Sequence, residues 1–153
     1  MFMEWAELDF GKHKGRTLPQ IIFNDPDYFF GAWKEGVFED KSPELHEQAK
    51  YIYKQCQRIK IPDNNSKRFV IEYSFYKFGD FCSLKNVPRT QKVSSDSFRK
   101  KVIDFSVPYK VPTYCKTGYK MFLHNIKTIL FGSGYNLTKK RCEEFFDEKA
   151  NFL

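Results

Sequence analysis

The residues best placed by type and spacing to do chemistry form the run Phe10-Gly11-Lys12-His13-Lys14-Gly15-Arg16-Thr17, with Asp25-Pro26-Asp27-Tyr28 close behind. Two glycines bracket cations at every second position, which predicts a tight extended turn. In an extended segment residues i, i+2 and i+4 point the same way. Lys12, Lys14 and Arg16 are therefore expected to form one cationic ridge, with His13 opposite. An anion lying there would meet three positive groups and exposed backbone N–H groups. The same spacing also suits a plain surface hairpin with solvated lysines.

Acid–base and metal chemistry find fewer parts. The chain has no nucleophile elbow, glycine-rich phosphate loop, H-E-x-x-H pair or zinc-deaminase arrangement. Two-metal nuclease chemistry needs several clustered carboxylates. The acids here fall mainly on predicted helix caps and helix surfaces up to residue 62, or in the tail from Glu143. Asp9, Asp25 and Asp27 could meet, but Asp25 is already assigned to a helix cap. His13 is weighed as a base, yet a lone turn histidine more often serves structure. Cys56, Cys82, Cys115 and Cys142 stand 26, 33 and 27 positions apart, with no CxxC pair and no histidine nearby. Local zinc sites need paired ligands, so free buried thiols in a reducing compartment are expected. The reading is a non-catalytic protein without cofactor or metal.

The elements that must position these residues follow from caps and periodicity. Thr17-Leu18-Pro19 reads as a helix start running to Phe23, and Asp25-Pro26 as a second, with Gly36 as its stop. Ser42-Pro43-Glu44 opens a third, where Leu45, Ala49, Ile52, Cys56 and Ile59 keep helical spacing. Pro62 to Ser66 is a turn-rich boundary. Beyond it, Phe69, Ile71, Tyr73 and Phe75 alternate as a strand over 68–78, with a turn at Gly79-Asp80 into a second strand through Leu84. Lys85, Arg89 and Lys92 belong to a basic loop. Phe98, Val102 and Phe105 suit the inner face of a helix over 97–105, placing Arg99, Lys100 and Lys101 outward. Val107 to Pro112 reads as extended, Cys115 to Gly118 as a turn, and Tyr119–Leu130 as a helix. Thr138 caps a final helix whose first turn holds Lys139, Lys140 and Arg141, at the positive end of the helix dipole. Glu143 and Glu144 are expected to offset this by i, i+4 pairing with Lys139 and Lys140.

The expected fold is α+β. A β-turn and three helices occupy residues 1–62, and a small antiparallel sheet with helices occupies 63–153, the two packed into one body. A winged-helix-like unit, with 97–105 as its recognition helix and 107–122 as its wing, is one variant.

The N-terminal run, with Leu18 and Asp25-Pro26-Asp27-Tyr28, resembles a small domain at the C-terminus of exodeoxyribonuclease X-like proteins. That domain also occurs alone in short bacterial and phage proteins. The resemblance covers roughly residues 8–60 and implies a nucleic-acid context. It does not imply nuclease activity, because in those enzymes the catalytic carboxylates belong to a separate domain with no counterpart here. Gly31 departs from the pattern, where a second large aromatic would follow Phe30, and Trp33 is expected to fill that space.

Charge points the same way. Of 153 residues with net charge +7, residues 64–142 hold 16 cations against 4 acids. A one-sign stretch of this length suits a polyanionic partner. Aromatics make up 18% of the chain, most of them expected in the core, and the remainder offer stacking platforms for unpaired bases. No apolar run approaches the roughly 18 residues that cross a bilayer, and the N-terminus lacks the features of a signal peptide, so a cytoplasmic, membrane-free protein is expected.

The expected function is binding of DNA or RNA through Lys12, Lys14, Arg16, Lys85, Arg89, Lys92, Arg99, Lys100, Lys101, Lys139, Lys140 and Arg141. Reversing Arg99, Lys100 and Lys101 is expected to weaken binding more than reversing Lys12 and Lys14. The competing expectation is a phage or mobile-element inhibitor or adaptor that docks on a host protein or ribonucleoprotein complex.

Overall fold

The computed structural model describes residues 4–64, 66–75, 82–110 and 119–153. Helices α1 (Leu18–Asn24), α2 (Pro26–Lys34), α3 (Val37–Lys41), α4 (Pro43–Gln55), α5 (Tyr119–Phe131) and α6 (Lys139–Asp147) are combined with short strands. The strands are β1 (Ile59–Lys60), β2 (Phe69–Phe75), β3 (Cys82–Pro88), β4 (Ser97–Lys100) and β5 (Val102–Ile103). The fold is α+β. It divides into two compact units, one joining residues 1–56 to 136–152 and the other formed by 57–135 with Leu153. No helix among the described residues is long and apolar enough to cross a membrane.

The first unit is helical, and its caps follow the sequence signals. Gln20 Oε1 accepts from the Thr17 N–H at 3.1 Å, Asp25 Oδ1 from the Tyr28 N–H at 3.2 Å, and Ser42 Oγ from the Leu45 N–H at 3.1 Å. Each satisfies an N–H that the first helical turn leaves without a carbonyl. α3 was not anticipated: Gly36 adopts a left-handed φ of 73° and caps a further short helix rather than only ending α2. α4 stops at Gln55, with Leu45, Ala49 and Ile52 buried as the periodicity predicts, whereas Ile59 continues into β1.

α6 closes this core. Phe146 is fully buried against Phe23 (ring centroids 5.5 Å) and stacks on Phe152 (5.6 Å), while Phe145 meets Phe23 edge-on at 5.4 Å. The polar edges are also satisfied. Tyr51 donates to the Phe146 carbonyl at 2.8 Å, and Trp5 Nε1 donates to Asp147 at 3.2 Å. Cys56 and Cys142 are free and buried, as expected. Cys115 and the side chain of Cys82 lie outside the described residues.

In the second unit β2 is the centre of a three-stranded antiparallel sheet ordered β3-β2-β4, and β1 pairs with β5. β2 matches the predicted strand. Tyr73 faces Leu84 on one side and Phe98 on the other, and Glu72 faces Lys85 and Arg99. The expected turns at Gly79-Asp80 and Cys115–Gly118 lie outside the described residues, as do the last two positions of the expected extended segment 107–112. Its described part, Val107–Lys110, is a 3-10 turn. α5 forms over 119–131, and Gly132 (φ 87°) ends it.

The helix expected over 97–105 does not form; the segment supplies β4 and β5 instead. Ser97 to Lys100 also reads with period two, and pairing with β2 gives the sheet its second edge, a tertiary gain that local spacing does not reveal. The winged-helix variant therefore loses its recognition helix. The described parts of its wing are not strands either: Val107–Lys110 is a 3-10 turn and α5 begins at Tyr119.

Candidate nucleic-acid interface

The N-terminal turn is built differently from an extended ridge. Leu8 N–H donates to Arg16 O (2.8 Å) and Gly15 N–H to Leu8 O (2.7 Å), closing a loop beside the Glu7–Thr17 bridge. Inside it, Lys14 N–H bonds Gly11 O and Arg16 N–H bonds His13 O, so two tight turns follow one another. Gly11 and Gly15 take φ of 70° and 85°, which favours glycine at both. Alternation fails in such a coil, and the three cations do not share a ridge. Lys12 pairs with Asp25 at 3.0 Å, while Lys14 and Arg16 stay exposed.

His13 points inward, its side chain only 12% exposed. Its Nε2 lies 2.8 Å from Asp25 Oδ2 and its ring is edge-on to Tyr28 at 4.7 Å. Burial alone raises the Asp25 pKa, but hydrogen bonds from His13, Lys12 and the Tyr28 N–H outweigh it and hold the carboxyl below its ordinary 3.8. The turn is a clamp that positions α2. Asp25→Ala removes the cap and both side-chain bonds, an expected loss of about 2 kcal/mol read as a lower urea midpoint. Because the Asp25 pKa is depressed, its contribution is complete above pH 3.8 and declines as pH falls through the folded value. Asp25→Asn removes that part of the acid limb.

The cations of α6 are also engaged within the first unit. Lys139 donates to Glu7 at 3.0 Å, a hydrogen bond that raises its pKa. Lys140 lies 3.7 Å from Glu144, the i, i+4 pair anticipated, and Arg141 Nη1 donates to Asn136 O at 3.0 Å. Glu143 does not take Lys139 as its hydrogen-bonding partner; it accepts from the Thr17 hydroxyl at 3.1 Å. Thr17 sits at the base of the N-terminal turn, so this bond ties α6 to it.

In the second unit the predicted Arg99-Lys100-Lys101 patch separates into two roles. Arg99 Nε donates to Glu72 Oε2 at 3.0 Å, with side chains 16% and 3% exposed. Lys100 Nζ reaches Asp104 Oδ2 at 2.6 Å. Asp104 is enclosed: its Oδ1 accepts from the Ser106 N–H and hydroxyl, and Lys110 approaches Oδ2 at 3.8 Å. Tyr73 completes the hub, its hydroxyl accepting from the Asp104 N–H at 2.8 Å and donating to Val102 O at 2.9 Å.

Arg99 and Lys100 thus act first as internal counter-charges, while Lys101, Lys85, Arg89 and Lys92 are exposed. The buried partners Glu72 and Asp104 escaped the sequence reasoning. The one available signal was Asp104-Phe105-Ser106, a spacing at which an Asp side chain bonds the backbone two residues on.

Redrawn by unit, the charge contrast sharpens. The second unit holds 15 Lys and Arg against 5 Asp and Glu, a net of +10, and the first 11 against 14, a net of −3, over the full chain. Lys139, Lys140 and Arg141 belong to the acidic unit. Among the described residues no group of three or more His, Cys, Asp or Glu is placed to hold a metal ion. Asp9, Asp25 and Asp27 accordingly form no such cluster. No known family model matches the chain, and no significant similarity to a curated protein or a solved structure is found.

Proposed function

We propose that the second unit binds DNA or RNA through the phosphate backbone, with Lys85, Arg89, Lys92 and Lys101 as its outward contacts. The charge partition carries this reading. A net of +10 is concentrated in one unit, and its two enclosed acids, Glu72 and Asp104, already hold partners inside it. A unit with this excess of exposed cations is what a polyanion seeks, and phosphate contacts dominate such affinity.

Fluorescence anisotropy with labelled oligonucleotides across a salt series tests it. Four phosphate contacts predict a log–log salt slope of roughly −3 to −4. Replacing Lys85, Arg89, Lys92 and Lys101 together by Gln is expected to remove most of that slope. The same change at Lys139, Lys140 and Arg141 leaves it nearly intact. No binding to single- or double-stranded DNA or RNA at about 50 mM salt ends the proposal.

A further inference from the structure

We propose that Phe98 is a stacking platform for an unpaired base, and that the nucleic acid bound is single-stranded. The inference rests on the nucleic-acid reading above and deepens it.

Among the described aromatics between Phe69 and Tyr135, Phe69 (37%) and Phe98 are the exposed ones, and three are enclosed. Tyr73, Phe105 and Phe122 are fully buried or nearly so. Phe98 is 40% exposed. Its placement follows from register: β4 is an edge strand, and Phe98 lies directly opposite Tyr73 on the sheet face that carries Ile71 and Phe75. Its ring is near-parallel to Tyr73 (centroids 5.3 Å, 17°) and to Phe75 (5.7 Å, 17°). Phe98 is the ring common to both contacts and the most exposed of the three.

That geometry suits a base for three reasons. A ring held flat by two neighbours loses little freedom when a third ring joins it, so the binding energy is not spent on ordering. Stacking on an aromatic face accepts any base, which suits a site otherwise made of phosphate contacts. Exposed Lys101 immediately follows β4, so a cation stands at the end of the strand that carries the ring. A duplex keeps its bases stacked on one another and offers this ring no face, so the arrangement selects an unpaired strand.

The test uses the full chain with labelled oligothymidylate of about 15 nucleotides and an abasic oligomer of equal length and charge. Expected is about tenfold tighter binding of oligothymidylate than of the abasic strand, the size of one stacked base. Phe98→Leu keeps an apolar, β-compatible side chain and is expected to bind both strands at the abasic level with an unchanged salt slope. Phe98→Tyr restores the discrimination. The abasic comparison on the native protein is independent of how any variant folds.

Equal affinity of the native protein for the two strands overturns the stacking role, as does discrimination that survives in Phe98→Leu. Tighter binding of duplex overturns the single-stranded assignment. In these cases the phosphate reading stands. Absence of binding to either strand at about 50 mM salt overturns both.

Discussion

Arg99→Met is expected to destabilise the second unit by about 3 kcal/mol at neutral pH, the scale for breaking a buried ion pair by removing one partner. The substitution keeps the stem length but leaves the Glu72 carboxylate enclosed without its guanidinium, at 3% side-chain exposure. For a unit of this size the melting temperature should fall by roughly 15 °C.

The pH dependence should also change sign. In the native protein burial raises the Glu72 pKa, but hydrogen bonds from Arg99 and Ser94 outweigh it and hold the group below its ordinary 4.5. Glu72 then contributes in full above that value, and the contribution is lost as pH falls through the folded pKa. In Arg99→Met burial dominates, the folded pKa rises, and protonation relieves the unpaired charge. The variant should therefore gain stability relative to the native protein as pH falls from 7 towards about 5. Glu72→Leu combined with Arg99→Met should recover most of the loss, since an apolar pair of similar volume replaces buried ions at little cost. Urea titrations at both pH values give the answer. An equal deficit at the two would show that the pair does not act through the Glu72 charge.

Phe146→Ala is the second large effect, with an expected loss of about 4 kcal/mol in the first unit. The ring is fully buried and touches Phe23, Phe145 and Phe152, so truncation leaves a cavity walled by rings that cannot collapse into it. Amide protection in α1 and α6 should fall by about two to three orders of magnitude. The buried Cys142 thiol, one turn away on α6, should label correspondingly faster. Phe146→Leu keeps most of the volume and should lose about 1–2 kcal/mol. Labelling of Cys142 in Phe146→Ala at the native rate would remove Phe146 as the keystone of that core.

Local signals were legible where the determinant was local. The caps at Thr17, Asp25, Ser42 and Thr138 all mark helix starts, because a side chain three residues from its target needs nothing else in the protein. β2 was legible because its alternation coincides with its pairing. Ser97 to Ile103 misled because Phe98, Val102 and Phe105 satisfy a helical period, while the preference for β4 comes from a neighbour far along the chain.

The candidate interface suffered from the same limit. Charge counting found the basic region but could not see that Glu72 and Asp104, distant or enclosed, engage Arg99 and Lys100. It also could not see that Lys12 and His13 converge on one capping carboxylate, because their spacing suggested an extended strand rather than two consecutive turns.

The first unit is discontinuous in sequence, and this orders events on the ribosome. α1, α2 and α4 emerge early, yet the rings that cover Phe23 arrive only with Phe145 and Phe146. At ordinary rates of synthesis the interval between α4 and α6 is roughly 4–17 s. The whole of the second unit up to Tyr135 emerges within it and can complete its own sheet first. The N-terminal turn, bonded through Thr17 to Glu143, waits for that late helix. The N-terminal turn, translated before the whole of the second unit, is thus among the last parts of the first unit to acquire its final contacts.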